Sequence, residues 1–242
     1  MNPVSGILPF SPEEDMLSLA SGPAPGPARL LWVWECTGTA VVLGRASDAE
    51  EEVRLEACLA DGVPLFRRRG GGSSVVLADG MLYLSHLAPR PEPLDVGELM
   101  LEEAHKAMAL LGLAGVDGLS VLGHGDVCLA DRKVAGSTLY IRSDIYLYHA
   151  CILMRSRSSL MERYLKQPTR QPAYRHGRSH TSFVTGLEQH LEQPGSSEIP
   201  CAIRSRIIEA AGPVFSQGGP VEVSSFCSDA FTGLRQLKPA AS

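Results

Sequence analysis

The sequence contains no apolar run close to the roughly 20 residues that span a bilayer. Residues 1–15 also lack the basic segment and apolar core of a signal peptide. The formal net charge is −5, which gives no global reason for binding to nucleic acid or to an anionic membrane. We therefore expect a cytoplasmic protein with no nucleic-acid partner and no membrane partner.

Cysteine is sparse and scattered. Six cysteines occur without any CxxC spacing, at Cys36, Cys58, Cys128, Cys151, Cys201 and Cys227. Zinc sites and the disulfide frameworks of small secreted proteins use characteristic spacings, and this pattern fits neither. We predict reduced thiols and no metal-binding residues.

The chain is long enough for a sizeable core, with 44% hydrophobic and 20% charged residues in 242. The sequence has no internal repeat, and its Pro/Gly-rich stretches are separated by pieces too short to fold alone. We predict a single domain over 1–242 with no C-terminal accessory domain. The predicted loops are 21–29, 88–93, 192–198 and 211–220.

Short runs rich in β-branched and aromatic residues alternate with helical patterns. Strands are predicted at 30–35, 40–44, 63–67, 74–77, 81–87, 126–130, 137–141 and 145–154. Helices are predicted at 48–62, 97–112, 158–166 and 198–211. Most strands are joined by hairpin-length loops, so the predicted fold is α/β (α+β), with a mixed, largely antiparallel sheet flanked by helices. Trp32 and Trp34 lie on one strand, and we expect at most one to face the core.

The segment 66–87 combines three arginines, three glycines and two serines ahead of an apolar strand. Gly71 and Gly72 lack Cβ atoms, so their backbone can approach an anion or a ligand chain closely. An arginine such as Arg68 offers planar, permanently charged donors that fit a carboxylate or phosphate. A tight turn with a solvated basic face is the alternative, and the arginine run favours a functional loop.

The segment 123–154 carries a second group of polar residues. Asp126 opens a strand, Lys133 is predicted at a turn, and the small residues 135–137 begin the next strand. A lysine there could hold a carbonyl oxygen and a phosphate oxygen and stabilise the charge that develops on each. Asp126 could bind a metal, pair with Lys133 or cap a turn, and the sequence leaves these roles open.

Five motifs in order, from about 30 to about 190, resemble the lipoate–protein ligase A family. The first two are the arginine–glycine loop with its strand and the later Asp–…–Arg-Lys-x-x-Gly-Ser pattern. The third is similar to the family's histidine before an aliphatic strand, at His149. The other two are 39–47, which resembles a Val-Val-x-Gly-Arg strand and turn, and 171–187, which resembles an Arg-x-x-Ser/Thr–…–Val-Thr-x-Leu segment.

The resemblance implies the mixed-sheet fold that the family shares with biotin–protein ligases. It also implies that lipoate or octanoate reacts with ATP to give an acyl-adenylate, which then acylates a lysine of a lipoyl acceptor domain. Mg²⁺ is the implied cofactor. In that scheme Lys133 is the essential catalytic residue and Asp126 positions the adenylate. The remaining implied pocket residues are Arg68, Gly71, Gly72, Ser73, Ser74, Val75, Gly136, Ser137 and His149.

Several positions depart from the family pattern. Gly125 replaces the usual asparagine before the strand aspartate, and Leu77 replaces a histidine near the end of the glycine-loop strand. Only some 50 residues follow the last motif, whereas known bacterial ligases carry an accessory domain. Two alternatives follow: a separate small accessory subunit supports adenylation, or the protein performs only the transfer half-reaction.

An octanoyl or lipoyl transferase would need a thiolate to carry the acyl group. The loop before the Asp-bearing strand, 120–125, has no cysteine, and Cys128 and Cys151 lie in apolar strand patterns typical of buried, inert thiols. The ligase is therefore favoured over the transferase. A non-catalytic subunit that binds lipoyl domains would be expected to lack Lys133 or Arg68, and both are present. Arg175 and Arg178 are candidate contacts for phosphate or an acidic partner, with a solvated loop as the alternative.

Overall fold

The computed structural model describes residues 6–20, 29–190, 198–216 and 221–229. The strands are β1 Leu8–Pro9, β2 Leu30–Thr37, β3 Ala40–Leu43, β4 Leu65–Arg67, β5 Val75–Leu77, β6 Met81–Pro89, β7 Leu119–Leu122, β8 Asp126–Leu129, β9 Arg132–Ile141, β10 Ile145–Leu153 and β11 Glu222–Asp229. The helices are α1 Ser11–Ala20, α2 Ala49–Glu52, α3 Leu55–Ala60, α4 Val96–Leu113, α5 Ser158–Tyr164, α6 His180–Phe183 and α7 Glu198–Phe215. The prediction of a mixed sheet flanked by helices is confirmed.

The strands form two sheets. The larger has the order β11-β2-β6-β10-β9-β8-β7, and its pairs are antiparallel except for β11 with β2. The smaller has the order β1-β4-β3-β5, with β4 parallel to both of its neighbours. Because both faces of β6 are buried, its side chains contribute to two separate cores.

Helices α4 and α7 pack on one face of the larger sheet, and their apolar side chains form a core with Leu82 and Leu84 of β6. On this face His86 is fully buried and pairs with Glu103 of α4 at 2.7 Å. The opposite face packs against α1 and the smaller sheet. The open space described below lies on that opposite face, between the two sheets.

One irregularity in the larger sheet changes the direction of a functional side chain. Val127 pairs with Ala135 but Cys128 pairs with Lys133, so Val134 is an extra residue in β9. Such a bulge shifts the alternation of side chains by one position. As a result Lys133 lies on the same face as Gly136. The predicted turn at Asp131-Arg132-Lys133 is therefore wrong for Lys133, which is the second residue of β9.

The predicted helix 48–62 is interrupted. The side chain of Asp48 caps α2 by accepting from the amides of Glu50 and Glu51, but Val53 leaves the helix and forms a bridge with Leu165. Burial of Val53 and two backbone hydrogen bonds to the end of α5 stabilise the extended conformation. Tertiary pairing therefore outweighs the helical pattern here.

Other boundaries also differ from the prediction. Helix α7 extends into the predicted loop 211–220 and ends at Phe215, whose side chain is fully buried. Residues 21–28, 192–197 and 217–220 of the predicted loops lie outside the described residues. Trp32 and Trp34 are both buried in one core, because residues two apart on a strand point to the same face. The expectation that only one faces the core is wrong.

Candidate functional site

A cavity of about 320 Å³ opens between the two sheets. That volume is at the lower end of the range for small-molecule pockets. Among the residues implied by the family resemblance, all but Gly71 line it: Arg68, Gly72, Ser73, Ser74, Val75, Asp126, Lys133, Gly136, Ser137 and His149. Residues from four separate chain segments thus meet in one place. Gly71 lies just behind the wall, where its carbonyl accepts from Arg68 and Thr138.

The arginine run holds the glycine loop in place. Arg68 is 7% exposed, and its guanidinium donates to the carbonyls of Val42, Gly71 and Ser73. Burial lowers the pKa of Arg68 to about 10, so the group remains charged at neutral pH. Arg67 donates to three carbonyls of the turn after β3, and Arg69 pairs with Glu14 at 2.7 Å. All three guanidinium groups therefore bind the protein itself in this structure.

At one point the glycine loop and the turn after β3 lie too close together to leave room for a side chain. A Cβ on Gly44 would lie 1.8 Å from the carbonyl oxygen of Gly72, so the turn after β3 and the glycine loop meet through their backbones. Gly72 has φ +83°, a conformation that favours glycine. The glycines in this crossing therefore serve close packing, and the pocket wall is formed by backbone.

Two acidic residues that sequence reasoning missed anchor the amides of this loop. Glu13 of α1 is 1% exposed and accepts from the amide of Arg69 at 2.5 Å. Glu52, at the end of α2, accepts from the amide of Ser74 at 2.6 Å and lines the cavity. Ser11-Pro12 followed by acids is a helix-start pattern that could have revealed α1. Nothing local in the sequence indicates contacts across 22 or 56 residues.

The side chain of Lys133 occupies the space that a side chain at position 136 would fill. A Cβ on Gly136 would approach the Cε and Nζ atoms of Lys133 to 2.5 Å, so only glycine leaves room for the lysine side chain. The Nζ atom pairs with Asp126 Oδ1 at 2.6 Å, and the two side chains are 26% and 17% exposed. Of the three roles left open for Asp126, the structure shows the pairing with lysine. The bulge, the glycine and the aspartate together fix one accessible ammonium group in the cavity wall.

The second oxygen of Asp126 is also engaged. Tyr174 donates its hydroxyl to Asp126 Oδ2 at 2.7 Å. Burial, with Asp126 beside it, raises the pKa of Tyr174 well above its ordinary range, so the hydroxyl stays protonated and donates. Tyr174 belongs to the segment 171–187 singled out from the sequence, where only Arg175 and Arg178 were given candidate roles.

His149 belongs to a buried chain of polar groups on β2, β6 and β10. Trp34 Nε1 donates to Ser85 Oγ at 2.9 Å, and Ser85 Oγ lies 2.7 Å from His149 Nδ1. Burial, with the positive charge of Arg68, lowers the pKa of His149 to about 3, so the imidazole is neutral. Its Nε2 atom lies 3.5 Å from Glu13, whose pKa burial raises. The histidine therefore acts as a neutral hydrogen-bonding group in the wall.

The cavity lining combines apolar and cationic side chains. Phe10, Trp34, Tyr83 and Leu153 supply an apolar lining, in which Trp34 stacks on Tyr83 with ring centroids 4.3 Å apart. Besides Lys133 and Arg68, the lining includes three cationic residues that follow α5 in sequence: Lys166, Arg170 and Arg175. Arg175 is 5% exposed, lies 4.7 Å from the ring centre of Phe183 and has its pKa lowered by burial. Arg178 does not line the cavity and pairs with Asp131 at 2.7 Å. A site with one apolar part and several cations suits a fatty-acid-like chain attached to an anionic group.

Two cysteines lie close to this site. Cys151 is half-buried and lines the cavity, which differs from the expected fully buried position. Burial raises its pKa to about 11, so the thiol stays protonated near neutral pH. Cys128 is fully buried, and burial raises its pKa as well. Neither has the depressed pKa of a nucleophilic thiol.

Within the described ranges, no group of three or more His, Cys, Asp or Glu side chains is arranged to hold a metal ion. Over those same ranges, no helix combines the length and apolar character needed to cross a membrane.

A family model described as the lipoyl protein ligase A/B catalytic domain matches residues 14–203. A protein of Aeropyrum pernix named as a lipoate-protein ligase A is 31% identical over 137 residues, which cover 55% of this chain and 48% of that protein. A protein of Mycoplasma genitalium with the same family name is 26% identical over 167 residues, covering 67% of this chain and 48% of that protein. The chain thus spans about half the length of these curated relatives.

Solved structures share the fold. A bi-partite lipoate protein ligase from Thermoplasma acidophilum has a TM-score of 0.68 and 20% identity, covering 88% of this chain and 80% of that chain. A lipoate-protein ligase A bound with ATP has a TM-score of 0.60 and 20% identity, with coverage of 84% and 78%. A third, from T. acidophilum with bound lipoic acid, has a TM-score of 0.59 and 19% identity, with coverage of 83% and 76%.

Proposed function

Because the chain belongs to the lipoyl protein ligase A/B catalytic domain family, we propose that it is a lipoate–protein ligase. It would activate lipoate or octanoate with ATP and transfer the acyl group to a lysine of a lipoyl acceptor domain. The observation that carries this proposal is the ammonium group of Lys133, held by Asp126 over Gly136 in a cavity with both an apolar and a cationic lining. We also propose that residues 1–242 act as one catalytic domain.

The acyl chain would occupy the apolar part, against Trp34 and Tyr83, with its carboxylate toward Lys133. A cavity of about 320 Å³ suits a medium-length chain of this kind. The backbone of Gly72, Ser73, Ser74 and Val75 would form one wall, and Gly136 and Ser137 the floor. Arg68 and Gly71 would fix the shape of this wall, and His149 would offer a neutral hydrogen-bonding group.

In the first step an acyl carboxylate oxygen attacks the α-phosphorus of ATP. The bond from that phosphorus to the bridging oxygen breaks, so pyrophosphate leaves and a mixed anhydride forms. Lys133, whose ammonium group offers three donors, would contact both the acyl carbonyl and the adenylate phosphate. Its charge would stabilise the negative charge that develops on phosphorus-bound oxygens.

In the second step the neutral ε-amine of the acceptor lysine attacks the acyl carbonyl. The amide bond forms, the anhydride C–O bond breaks, AMP leaves, and the amine's proton is released to solvent. Lys133 would stabilise the oxyanion of the tetrahedral intermediate that forms in this step. No residue of the enzyme is acylated, because ATP supplies the activation.

ATP is the energy source in this scheme, and a related ligase is known with ATP bound. Both oxygens of Asp126 are engaged by Lys133 and Tyr174, so the described residues offer no preformed carboxylate cage for a divalent cation. Mg²⁺ is commonly bound through nucleotide phosphates with few protein ligands. We therefore propose that Mg²⁺ enters with ATP.

A lipoyl domain is the proposed acceptor, consistent with the E2 lipoyl domain that accompanies the bi-partite ligase of T. acidophilum. A bi-partite relative also supports the proposal that a separate accessory subunit assists adenylation. The proposed location is the cytoplasm, where free acid, ATP and acceptor domains would meet.

An ATP-independent octanoyl or lipoyl transferase is the alternative, and the position of Cys151 in the cavity is the one feature that favours it. The raised pKa of that thiol argues against it.

Trapping of the adenylate tests the ligase proposal. The protein is incubated with ATP, magnesium and free octanoate, and hydroxylamine converts any acyl-adenylate into a hydroxamate. We expect ATP-dependent hydroxamate from the wild type and none from Lys133→Ala, which should keep its fold by circular dichroism. Hydroxamate formation by Lys133→Ala at the wild-type rate would contradict the role of Lys133.

A further inference from the structure

Tyr174 joins two parts of the site that are separate in sequence. It lies in the 3₁₀ turn Ala173–Arg175, within the segment 167–179 that follows α5. Its hydroxyl donates to Asp126 Oδ2 at 2.7 Å and lies 3.5 Å from Cys128 Sγ. Its ring packs on Phe183 with centroids 5.2 Å apart. The side chain therefore connects this loop to β8, the strand that carries Asp126.

The same segment is tied to the β8–β9 hairpin at a second point. Arg178 pairs with Asp131 at 2.7 Å and donates to the carbonyl of Tyr174 at 2.8 Å. The turn from β7 to β8 also fits the loop closely, since a Cβ on Gly123 would lie 3.3 Å from the ring of Tyr174. Segment 167–179 is thus clamped on the hairpin, with one contact at the hairpin tip and one on the carboxylate that holds Lys133.

The hydrogen bond from Tyr174 changes how Asp126 interacts with Lys133. A carboxylate whose second oxygen accepts a hydrogen bond carries less charge toward its other partner and cannot rotate freely. Lys133 must share its donors between Asp126 and the acyl-phosphate during the proposed reaction. An Asp126 side chain held in this way orients the ammonium group of Lys133 and leaves the other donors of that group available for the acyl-phosphate.

We propose that Tyr174 is a positioning residue, through which segment 167–179 orients the Asp126–Lys133 pair for acyl-adenylate formation. This inference rests on the proposed ligase function. It assigns Tyr174 no contact with substrate, so its effect must pass through Asp126. It also connects Arg175, the next residue in the chain after Tyr174, to the carboxylate that pairs with Lys133.

The test compares two tyrosines that make the same kind of bond. Tyr164 donates to Asp61 at 2.8 Å and does not line the cavity, so Y164F is a matched control for Y174F. Octanoate-dependent ATP–pyrophosphate exchange is measured for both. We expect Y174F to lower kcat about 10-fold or more, as loss of a hydrogen bond to a charged group predicts, with KM for octanoate unchanged. We expect Y164F to match the wild type.

A double-mutant cycle separates positioning from other roles. If Tyr174 acts through Asp126, then D126N and D126N/Y174F have the same kcat. Additive losses, an unchanged kcat in Y174F, or an equal loss in Y164F would each overturn the inference while leaving the ligase function standing.

A second measurement does not depend on turnover. Hydrogen exchange of the ligand-free protein should be faster over 167–179 and the β7–β8 turn in Y174F than in the wild type, and unchanged there in Y164F. Equal protection in Y174F and wild type would overturn the inference. Absence of any ATP-dependent reaction in the wild type would instead refute the proposed function, and the exchange result would still decide whether Tyr174 clamps the segment.

Discussion

Replacement of Gly136 by alanine should inactivate the site without damaging the fold. The added methyl group would lie 2.5 Å from the Cε and Nζ atoms of Lys133. Ordinary carbon contacts are about 3.5–4.0 Å, so the end of the lysine side chain must move by at least about 1 Å. Because the obstructing atoms are the far end of a flexible side chain, the strand itself can stay in place.

The displacement sets the expected loss of activity. A shift of about 1 Å in a catalytic group can cost about 100-fold in rate, so we expect kcat to fall by about that factor. The stability change should be small. The partly exposed pair of Lys133 and Asp126 contributes at most about 1 kcal/mol, and alanine in a strand recovers about 0.5–1 kcal/mol relative to glycine. The melting temperature should therefore change by no more than about 4 °C.

The assay is the octanoate-dependent ATP–pyrophosphate exchange, with thermal unfolding measured on the same preparations. Gly112→Ala in α4 is the control, because no atom lies within 4 Å of its added Cβ and it does not line the cavity. Adding Gly136→Ala to Lys133→Ala should cause no further loss. Wild-type kcat in a stable Gly136→Ala variant would refute the argument that Gly136 provides room for Lys133.

Three further predictions address the rest of the site. Arg68→Met should lower the free energy of unfolding by about 3–5 kcal/mol in urea titrations, because it removes a buried charge and its bonds to three carbonyls. Arg69→Met, at an exposed position, should cost at most about 1 kcal/mol. Equal losses in the two variants would contradict the stabilising role of the buried Arg68 guanidinium. Cys128→Ser together with Cys151→Ser should leave activity nearly unchanged. A stable acyl thioester on either cysteine of the wild-type protein, detected by mass spectrometry, would show the ligase hypothesis to be wrong. The pKa of His149 is lowered from 6.5 to about 3 in the folded protein, so the unfolded state binds more protons between those values and stability falls as pH falls through that window. Between pH 7 and pH 5 this contribution should reduce the unfolding free energy by about 2 kcal/mol in the wild type and be missing in His149→Gln; identical pH dependence would contradict it.

Local patterns predicted most of the elements and part of the cavity lining. The strand at Asp126, the long helix α4 and the glycine loop follow from alternation, periodicity and turn residues. The motif residues that line the cavity could be chosen from the sequence because each segment carries its own signature. Their catalytic and binding roles stay predictions.

The remaining features depend on contacts between distant segments. The face to which Lys133 points is set by a one-residue bulge that no alternation pattern reveals. Glu13 and Glu52 reach the glycine loop from α1 and α2, and Arg67 and Arg68 bind backbone carbonyls. The sequence indicated the charge and geometry of the arginines but could not show that oxygen atoms of the same protein would bind all three guanidinium groups.

The central claim is that this chain joins a free acyl acid to a protein lysine at the expense of ATP. The most direct measurement is the intact mass of an apo lipoyl domain after incubation with the protein, magnesium and free octanoate or lipoate, with and without ATP. The account predicts a mass gain of one acyl group that requires ATP. A gain only from an acyl-carrier donor, without ATP, would contradict it and indicate the transferase instead.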